Sequence, residues 1–361
     1  MSIKESPAGN IGEWSELYTL GYLLMNGGAY GADEKQSRME NLFYKALEIY
    51  LAGRDPEEEL QYKIGENQIK VYARGSEILT LEKSQLVSKV ANFFRDLSNG
   101  ENIRTFPLAS GYELMQMLGK NSISASSTQH ASDMEIIFED RDSKLPSPRV
   151  GFSIKSQLGG ASTLLNASGA TNFIFRLSPG DSSQRGSYPA FEPGAVKTNV
   201  KSLLEADWKL EFQSVSSPNF QHNLELVDSR MPEYVAEVLL AAYAGKKSKF
   251  SEVVEEVFPQ SDKRSEQKIF KIKQFLGAVA MGMRPSDSWD GDVTKFKGLI
   301  VVKTDGEIVF YYLYNQPSFQ DFLFENVKFE VPSTSRHKFG DIYTEGGADF
   351  LKLNLQIRFI K

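Results

Sequence analysis

The chain has 361 residues, 41% hydrophobic and 24% charged, with a net charge of −6, which is length enough for one large or two ordinary domains with a buried core. It holds no cysteine and three histidines, His130, His222 and His337, so disulfides, thiolate catalysis and zinc–cysteine sites are excluded and hard oxygen ligands are the natural metal donors. No run of 18 apolar residues and no apolar secretion signal is visible, so neither a membrane span nor export is expected, and a cytoplasmic protein is.

In chain order, GEWSELYTLGYLLMNG places Trp14, Leu17, Tyr18, Leu20 and Leu24 at the 3.6-residue period of an amphipathic helix, ended by Gly27 and Gly28. EKQSRMENLFYKALEIYL is expected to form a second helix, stopped by Gly53. YKIGENQIKVYARG reads as a hairpin around Gly65, Glu66 and Asn67; LEKSQLVSKVANFFRDLSNG is a third helix and GYELMQMLGK a short fourth. The small, polar SISASSTQHASD follows. MEIIFE and VGFSIKS then read as strands, separated by a loop carrying Pro146 and Pro148, and TNFIFRL as another. SPGDSSQRGSYPAFEPGA is an irregular connection before two helices, MPEYVAEVLLAAYAG and SEQKIFKIKQFLGAVAMGM. KGLIVVKTDGEIVFYYLYN is the clearest hairpin, turning at Thr304, Asp305 and Gly306. FGDIYTEG and DFLKLNLQIRF close the chain as strands. Helices first, a mixed middle and a mainly β end give an α/β (α+β) fold class, with a mixed sheet flanked by helices and extra C-terminal hairpins.

The chemistry concentrates on the MEIIFE and VGFSIKS strands. Residues i and i+2 share a strand face, so Ser153, Lys155 and Gln157 point the same way. If the two strands pair across the 140–149 loop, Asp133 at the mouth of the first lies beside that face. A lysine between Phe152 and Ile154 is costly unless an anion waits for it. A carboxylate with carbonyls and waters can hold a hard divalent cation, and a neighbouring ammonium can orient a water or steady a phosphate oxygen. This arrangement resembles the PD-(D/E)xK nuclease pattern, an aspartate followed by acid-x-Lys on the next strand. Ser153 stands where that pattern has its acid. A carboxylate to replace it is available from Glu13 or Glu16 on the first helix, or from Glu135.

Longer stretches carry a more specific likeness. GFSIKSQLGGASTLLNASGATNFIF, VPSTSRHKFGDIYTEGGADFLKLNLQIRF, NIGEWSELYTL and FLGAVAMGMRPSDSWDGD, in this collinear arrangement over nearly the whole chain, resemble the HpaII-type restriction endonuclease family. The resemblance implies a PD-(D/E)xK core and a Mg2+-dependent type II endonuclease that cuts double-stranded DNA at CCGG. It implies Asp133 and Lys155 as the catalytic pair with Ser153 in the acid slot, Glu16 or Glu13 as the helix-borne metal ligand beside Asp133, and Gln157 and Asn166 as site or DNA-facing residues. It also implies a companion DNA methyltransferase in the host. A palindromic target is most simply cut by a homodimer with twofold symmetry.

A G·C-only target asks for forked donors on guanine and acceptors for cytosine. PSTSRHKFG offers Arg336, His337 and Lys338 behind the hydroxyls of Ser333, Thr334 and Ser335, and hydroxyls commonly take phosphates. NLQIRF is expected to place Gln356 and Arg358 on one strand face with Asn354. Arg176 and Arg264 are further cationic candidates, and the basic KRSEQKIFKIK reads equally as a solvated helix face. The expected division is a catalytic core over residues 1–230 and a helical and hairpin DNA-recognition region over 231–361, packed separately or as one continuous domain with the core. The alternative function is a DNA-binding module of the same fold that lost catalysis with its acid at 153. A nucleotide-dependent metabolic enzyme is disfavoured, since no GxxxxGK[ST] loop is present.

Overall fold

The computed structural model describes residues 7–52, 58–100, 105–123, 132–181, 188–261, 263–291, 296–312 and 316–360. The polar stretch around His130 and the middle of the 178–195 connection lie outside them. In chain order the elements are β1 Ala8–Gly9, α1 Ile11–Asn26, β2 Gly28–Ala32, β3 Arg38–Leu51, β4 Leu60–Ile64, β5 Gln68–Ala73, β6 Ser76–Glu82, α2 Lys83–Ser98, β7 Phe106–Pro107, α3 Ala109–Met117, β8 Met134–Phe138 and β9 Val150–Ser156. There follow β10 Thr163–Leu165, a 3₁₀ turn Gly169–Thr171, β11 Asn172–Pro179, α4 Val196–Glu205, β12 Trp208–Val215, α5 Pro218–Val227, α6 Met231–Ala244, α7 Phe250–Val257 and α8 Lys263–Ala280. The chain ends with β13 Phe296–Val302, β14 Ile308–Tyr312, α9 Gln316–Asn326, β15 Val327–Phe329, α10 Thr334–His337, β16 Ile342–Glu345, β17 Ala348–Asn354 and β18 Ile357–Phe359. No described helix is long and apolar enough to cross a membrane.

Two compact units result, one of Met1–Ser162, Val293–Phe319 and Lys361, the other of Thr163–Asp292 and Gln320–Ile360. The boundary expected at 230/231 falls inside the second unit, between α5 and α6. Chain order alone does not reveal that the β13–β14 hairpin returns to the sheet of the first unit.

That sheet has nine strands in the order β2-β14-β13-β9-β8-β3-β4-β5-β6. It is mixed: β9 runs parallel to β13 and antiparallel to β8. β2 pairs in parallel with β14 and antiparallel with the first half of β3, so six strands close into a ring. Here the expected second helix is corrected: residues 38–51 form β3, a 14-residue strand. The segment carries helix-forming Glu, Lys, Leu and Ala, but it also carries Phe43, Tyr44, Ile49 and Tyr50. Pairing with β2, β4 and β8 overrides the local propensity. The helices-first pattern is corrected with it, because β2 to β6 precede α2.

Along β9, Phe152 and Ile154 are buried and pack into an aromatic cluster. Phe152 meets Phe138 edge-on at 5.7 Å and Phe310 at 5.3 Å between ring centroids. Ser153 and Lys155 alternate with them, as the strand period requires. Helix α1 starts at a capping box: Asn10 Oδ1 accepts from the Glu13 amide at 3.0 Å, and the Asn10 amide donates to Glu13 Oε2 at 2.7 Å. It ends at Gly27, whose φ of 69° is left-handed. Trp14 is fully buried, donates from Nε1 to the Phe106 carbonyl at 3.1 Å and stacks edge-on against Phe93 of α2. The expected helices at α2, α3, α6 and α8, the β4–β5 hairpin and the β13–β14 hairpin are all present.

In the second unit β12-β11-β17-β16 form an antiparallel sheet and β10-β18-β15 a smaller one, accompanied by helices α4 to α8. The expected final strand splits here: β17 stops at Asn354 and β18 begins at Ile357 in the other sheet.

Close approach of α3 to α1 depends on Gly111, where a Cβ would lie 2.5 Å from Trp14 Cζ3 and 2.9 Å from Phe93. Gly111→Ala is expected to overpack this contact and lower stability by about 1–3 kcal/mol. Urea unfolding checks this; an unchanged midpoint would contradict the packing.

Candidate active site

Asp133 is set at the entry to β8 by its own amide, which donates to the Phe152 carbonyl at 2.9 Å. The expected β8–β9 hairpin is thereby present and places Asp133 beside β9. Its Oδ2 accepts from the Ile154 amide at 2.7 Å and from Ser153 Oγ at 3.1 Å. Two donors on one oxygen fix the carboxylate plane. Among the described residues Oδ1 accepts no hydrogen bond, which leaves it available to an outside cation. Ser153, in the slot where the pattern has an acid, therefore acts on the aspartate itself.

Helix α1 supplies the second carboxylate. Ser15 Oγ donates to Ser156 Oγ at 2.7 Å, which ties the residue before Glu16 to the residue after Lys155. The start of the helix lies against the chain leaving β9: a Cβ on Gly159 would meet Ile11 Cγ2 at 2.8 Å. Glu16 thereby joins Asp133 and Lys155. Burial, then the Asp133 carboxylate, push the Glu16 carboxyl from 4.5 up to about 8, with Lys120 and Lys155 pulling the other way. Burial pushes the Lys155 ammonium below its ordinary value, while Asp133 and Glu16 partly hold it charged.

The three candidate acids differ in their contacts. The Glu13 carboxylate is engaged by the helix cap. Glu135 forms an ion pair with Arg149, which also pairs with Glu59; it is not among the charges acting on Glu16 or Lys155. Glu16 is the acid that meets Asp133. Gln157 lies just past the end of β9, where its amide donates to the Val302 carbonyl at 2.9 Å and its Nε2 to Gln36 Oε1 at 2.7 Å. Sequence reasoning missed Lys120, which is 9% exposed and acts on Glu16. A lysine directly after Leu118-Gly119 at a helix end gives little sign of entering a site.

Among the described residues no group of three or more carboxylate or imidazole side chains forms a ready metal cage. Two coupled carboxylates are nevertheless a suitable donor set for Mg2+, which keeps several waters and typically takes one or two carboxylates together with substrate phosphates. A divalent cation beside Glu16 would favour the ionised form that burial and Asp133 oppose.

The candidates for DNA contact belong to the second unit. Ser335, Arg336 and Lys338 are exposed around the single turn α10, His337 is half-buried, and Ser333 caps the turn. Asn166 is exposed in a loop after β10, and Arg176 is exposed on β11. Gln356 and Arg358 are half-buried, and Arg358 pairs with Glu330 at 3.1 Å. The expectation that Asn354 shares their face is corrected. Asn354 is fully buried, donating to the Ser168 carbonyl at 2.7 Å and to Asn172 Oδ1 at 2.6 Å. The break between β17 and β18 separates the residues that an unbroken strand would have aligned.

A profile of the HpaII restriction endonuclease family matches residues 10–359. The Type II restriction enzyme HpaII of Haemophilus parainfluenzae is 36% identical over 360 residues, covering 98% of this chain and 99% of that protein. No solved structure matches the chain. The chain belongs to the HpaII restriction endonuclease family and is a type II restriction endonuclease, a site-specific deoxyribonuclease.

Glu16 gives the metal-free protein a pH dependence of known sign. Its folded-state value lies above the unfolded 4.5, so the stability it contributes is full below about pH 4.5 and is lost as pH rises through about 8. Lys120, pushed down by burial to about 8, acts above that window with the opposite sign. In EDTA, Glu16→Gln should gain on the parent protein between about pH 5 and 8, by up to about 4 kcal/mol, since each tenfold change in proton affinity is worth about 1.4 kcal/mol. Urea unfolding at both ends of the range tests this, and equal gains at both would refute it.

Proposed function

We propose that this endonuclease hydrolyses a phosphodiester bond in double-stranded DNA at CCGG with Mg2+, using a PD-(D/E)xK-like site in which Glu16 replaces the acid missing at Ser153. The observation that carries this reading is the convergence of Glu16 from α1, Asp133 from the mouth of β8 and Lys155 from β9. Asp133 and Glu16 would hold the cation, which when bound neutralises charge on the phosphate and makes water a stronger nucleophile. The chain's own groups do the rest. Ser153 and the Ile154 amide hold the Asp133 carboxylate in one plane. Lys155, kept on a central strand between β8 and β13, places its ammonium where it can orient the attacking water and take developing charge on a phosphate oxygen. The Ser15–Ser156 hydrogen bond keeps Glu16 registered against that lysine.

The first unit would carry catalysis and the second recognition. Arg336 and Lys338 would supply donors for guanine edges or phosphates, Ser335 and Asn166 polar contacts, and Gln356 and Arg358 a second set on β18 and its approach. His337 contributes its backbone carbonyl to Asn172 at 3.0 Å and would act chiefly by shaping the turn. The palindrome would be cut on both strands by a homodimer, in a cytoplasm whose DNA a cognate methyltransferase protects.

A mapped plasmid incubated with and without Mg2+ should give a discrete CCGG ladder only with the metal. Lys155→Ala should lower single-turnover cleavage by about 10²–10³-fold or more while duplex binding stays within a few-fold. Intact cleavage in that variant would sink the mechanism, and a parent protein that binds but never cuts would favour a non-catalytic module.

A further inference from the structure

A second lysine stands at the site without a function in the proposed reaction. Lys120 follows helix α3 in a tight terminal motif: Gly119, with φ of 70°, donates to the Gln116 carbonyl at 3.1 Å, and the Lys120 amide donates to the Met115 carbonyl at 2.9 Å. Its position is the one that such helix ends commonly give to an apolar residue packing back on the last turn. A lysine there can bury its stem and keep its tip polar. The residue is 9% exposed.

Among the described residues the Lys120 ammonium makes neither a hydrogen bond nor an ion pair within 4.0 Å. Burying a cation without a partner is expensive. The one charge acting on it is Glu16, whereas Lys155 is acted on by both Asp133 and Glu16. Lys120 and Lys155 thus share Glu16 as a neighbouring charge, and Lys155 has Asp133 besides. The chain beyond Lys120 is held against the start of α1, since a Cβ on Gly9 would meet Ile123 at 3.1 Å and Glu13 Oε2 at 3.3 Å. Once a divalent cation occupies Glu16, no other anion among the described residues acts on Lys120. Its missing partner is an anion that arrives with the substrate.

We propose that Lys120 is a substrate-binding residue that takes an oxygen of the DNA backbone phosphate next to the scissile one, while Lys155 acts on the scissile phosphate in the cleavage step. This rests on the assignment of Glu16, Asp133 and Lys155 as the active site. A phosphate contact of this kind is independent of base sequence and positions the strand.

The test uses the full-length protein and a CCGG duplex with Ca2+ in place of Mg2+, so that binding is read apart from cleavage. Lys120→Met, Lys120→Arg and Lys155→Ala are compared with the parent from about 50 to 200 mM salt. Loss of one phosphate contact should lower the slope of log K against log salt by about 0.9 in Lys120→Met. Binding of CCGG and unrelated duplexes should weaken by a similar factor, about tenfold, as a backbone contact requires. Lys120→Arg should keep the parent slope. A merely structural role would lower the melting temperature without moving the slope, so a parental slope in folded Lys120→Met overturns the proposal. Should Lys120→Met not fold, Lys120→Gln is read in the same way, and a slope lost in Lys120→Arg as well as in the neutral variant also counts against it. Normal binding with lost cleavage in Lys155→Ala shows the active-site assignment standing whatever Lys120 does; a Lys155→Ala variant that still cuts shows that assignment failing first.

Discussion

Burial, and after it the neighbouring Asp133 carboxylate, opposes ionisation of Glu16. Two acids drawn from distant parts of the chain are held together in a partly dry space with two lysines. Several hydrogen bonds hold the surroundings in place: the clamp on Asp133 Oδ2, the Ser15–Ser156 bond and the cap that engages Glu13 elsewhere. A carboxyl kept from ionising by burial and a neighbouring acid gains from any cation bound beside it.

Serine in the acid slot follows the same logic. A third carboxylate at 153 would stand beside Asp133 and add to the repulsion. The hydroxyl instead donates a hydrogen bond to the aspartate. In the proposed mechanism the charge that the slot would have provided comes from Glu16 on α1, about one helical turn beyond Glu13.

Much of the architecture was legible from sequence, and the failures have physical causes. Helix α1 announced itself through the spacing of Trp14, Leu17, Leu20 and Leu24, and the β13–β14 hairpin through Asp305-Gly306 between apolar runs. β3 did not, because a strand bonded by three different neighbours is specified by partners remote in sequence. That Asp133 would lie beside the strand of Lys155 was readable because β8 and β9 pair as a hairpin. Choosing between Glu13 and Glu16 needed the cap, and Lys120 needed the folded backbone, since nothing in Leu-Gly-Lys says where the ammonium goes. Asn354 misled because a strand break of two residues looks like continuity when only alternation is read.

The parallel partner of β9 has a consequence for how the enzyme comes into being. Strand β13, which flanks Lys155, is separated from β9 by the entire Thr163–Asp292 segment. A nascent chain emerging N-terminus first has therefore translated most of its message before the strand bearing the lysine can acquire its second neighbour. Pairings this remote also form slowly. The strand that carries Lys155 is thus fully paired only late in synthesis.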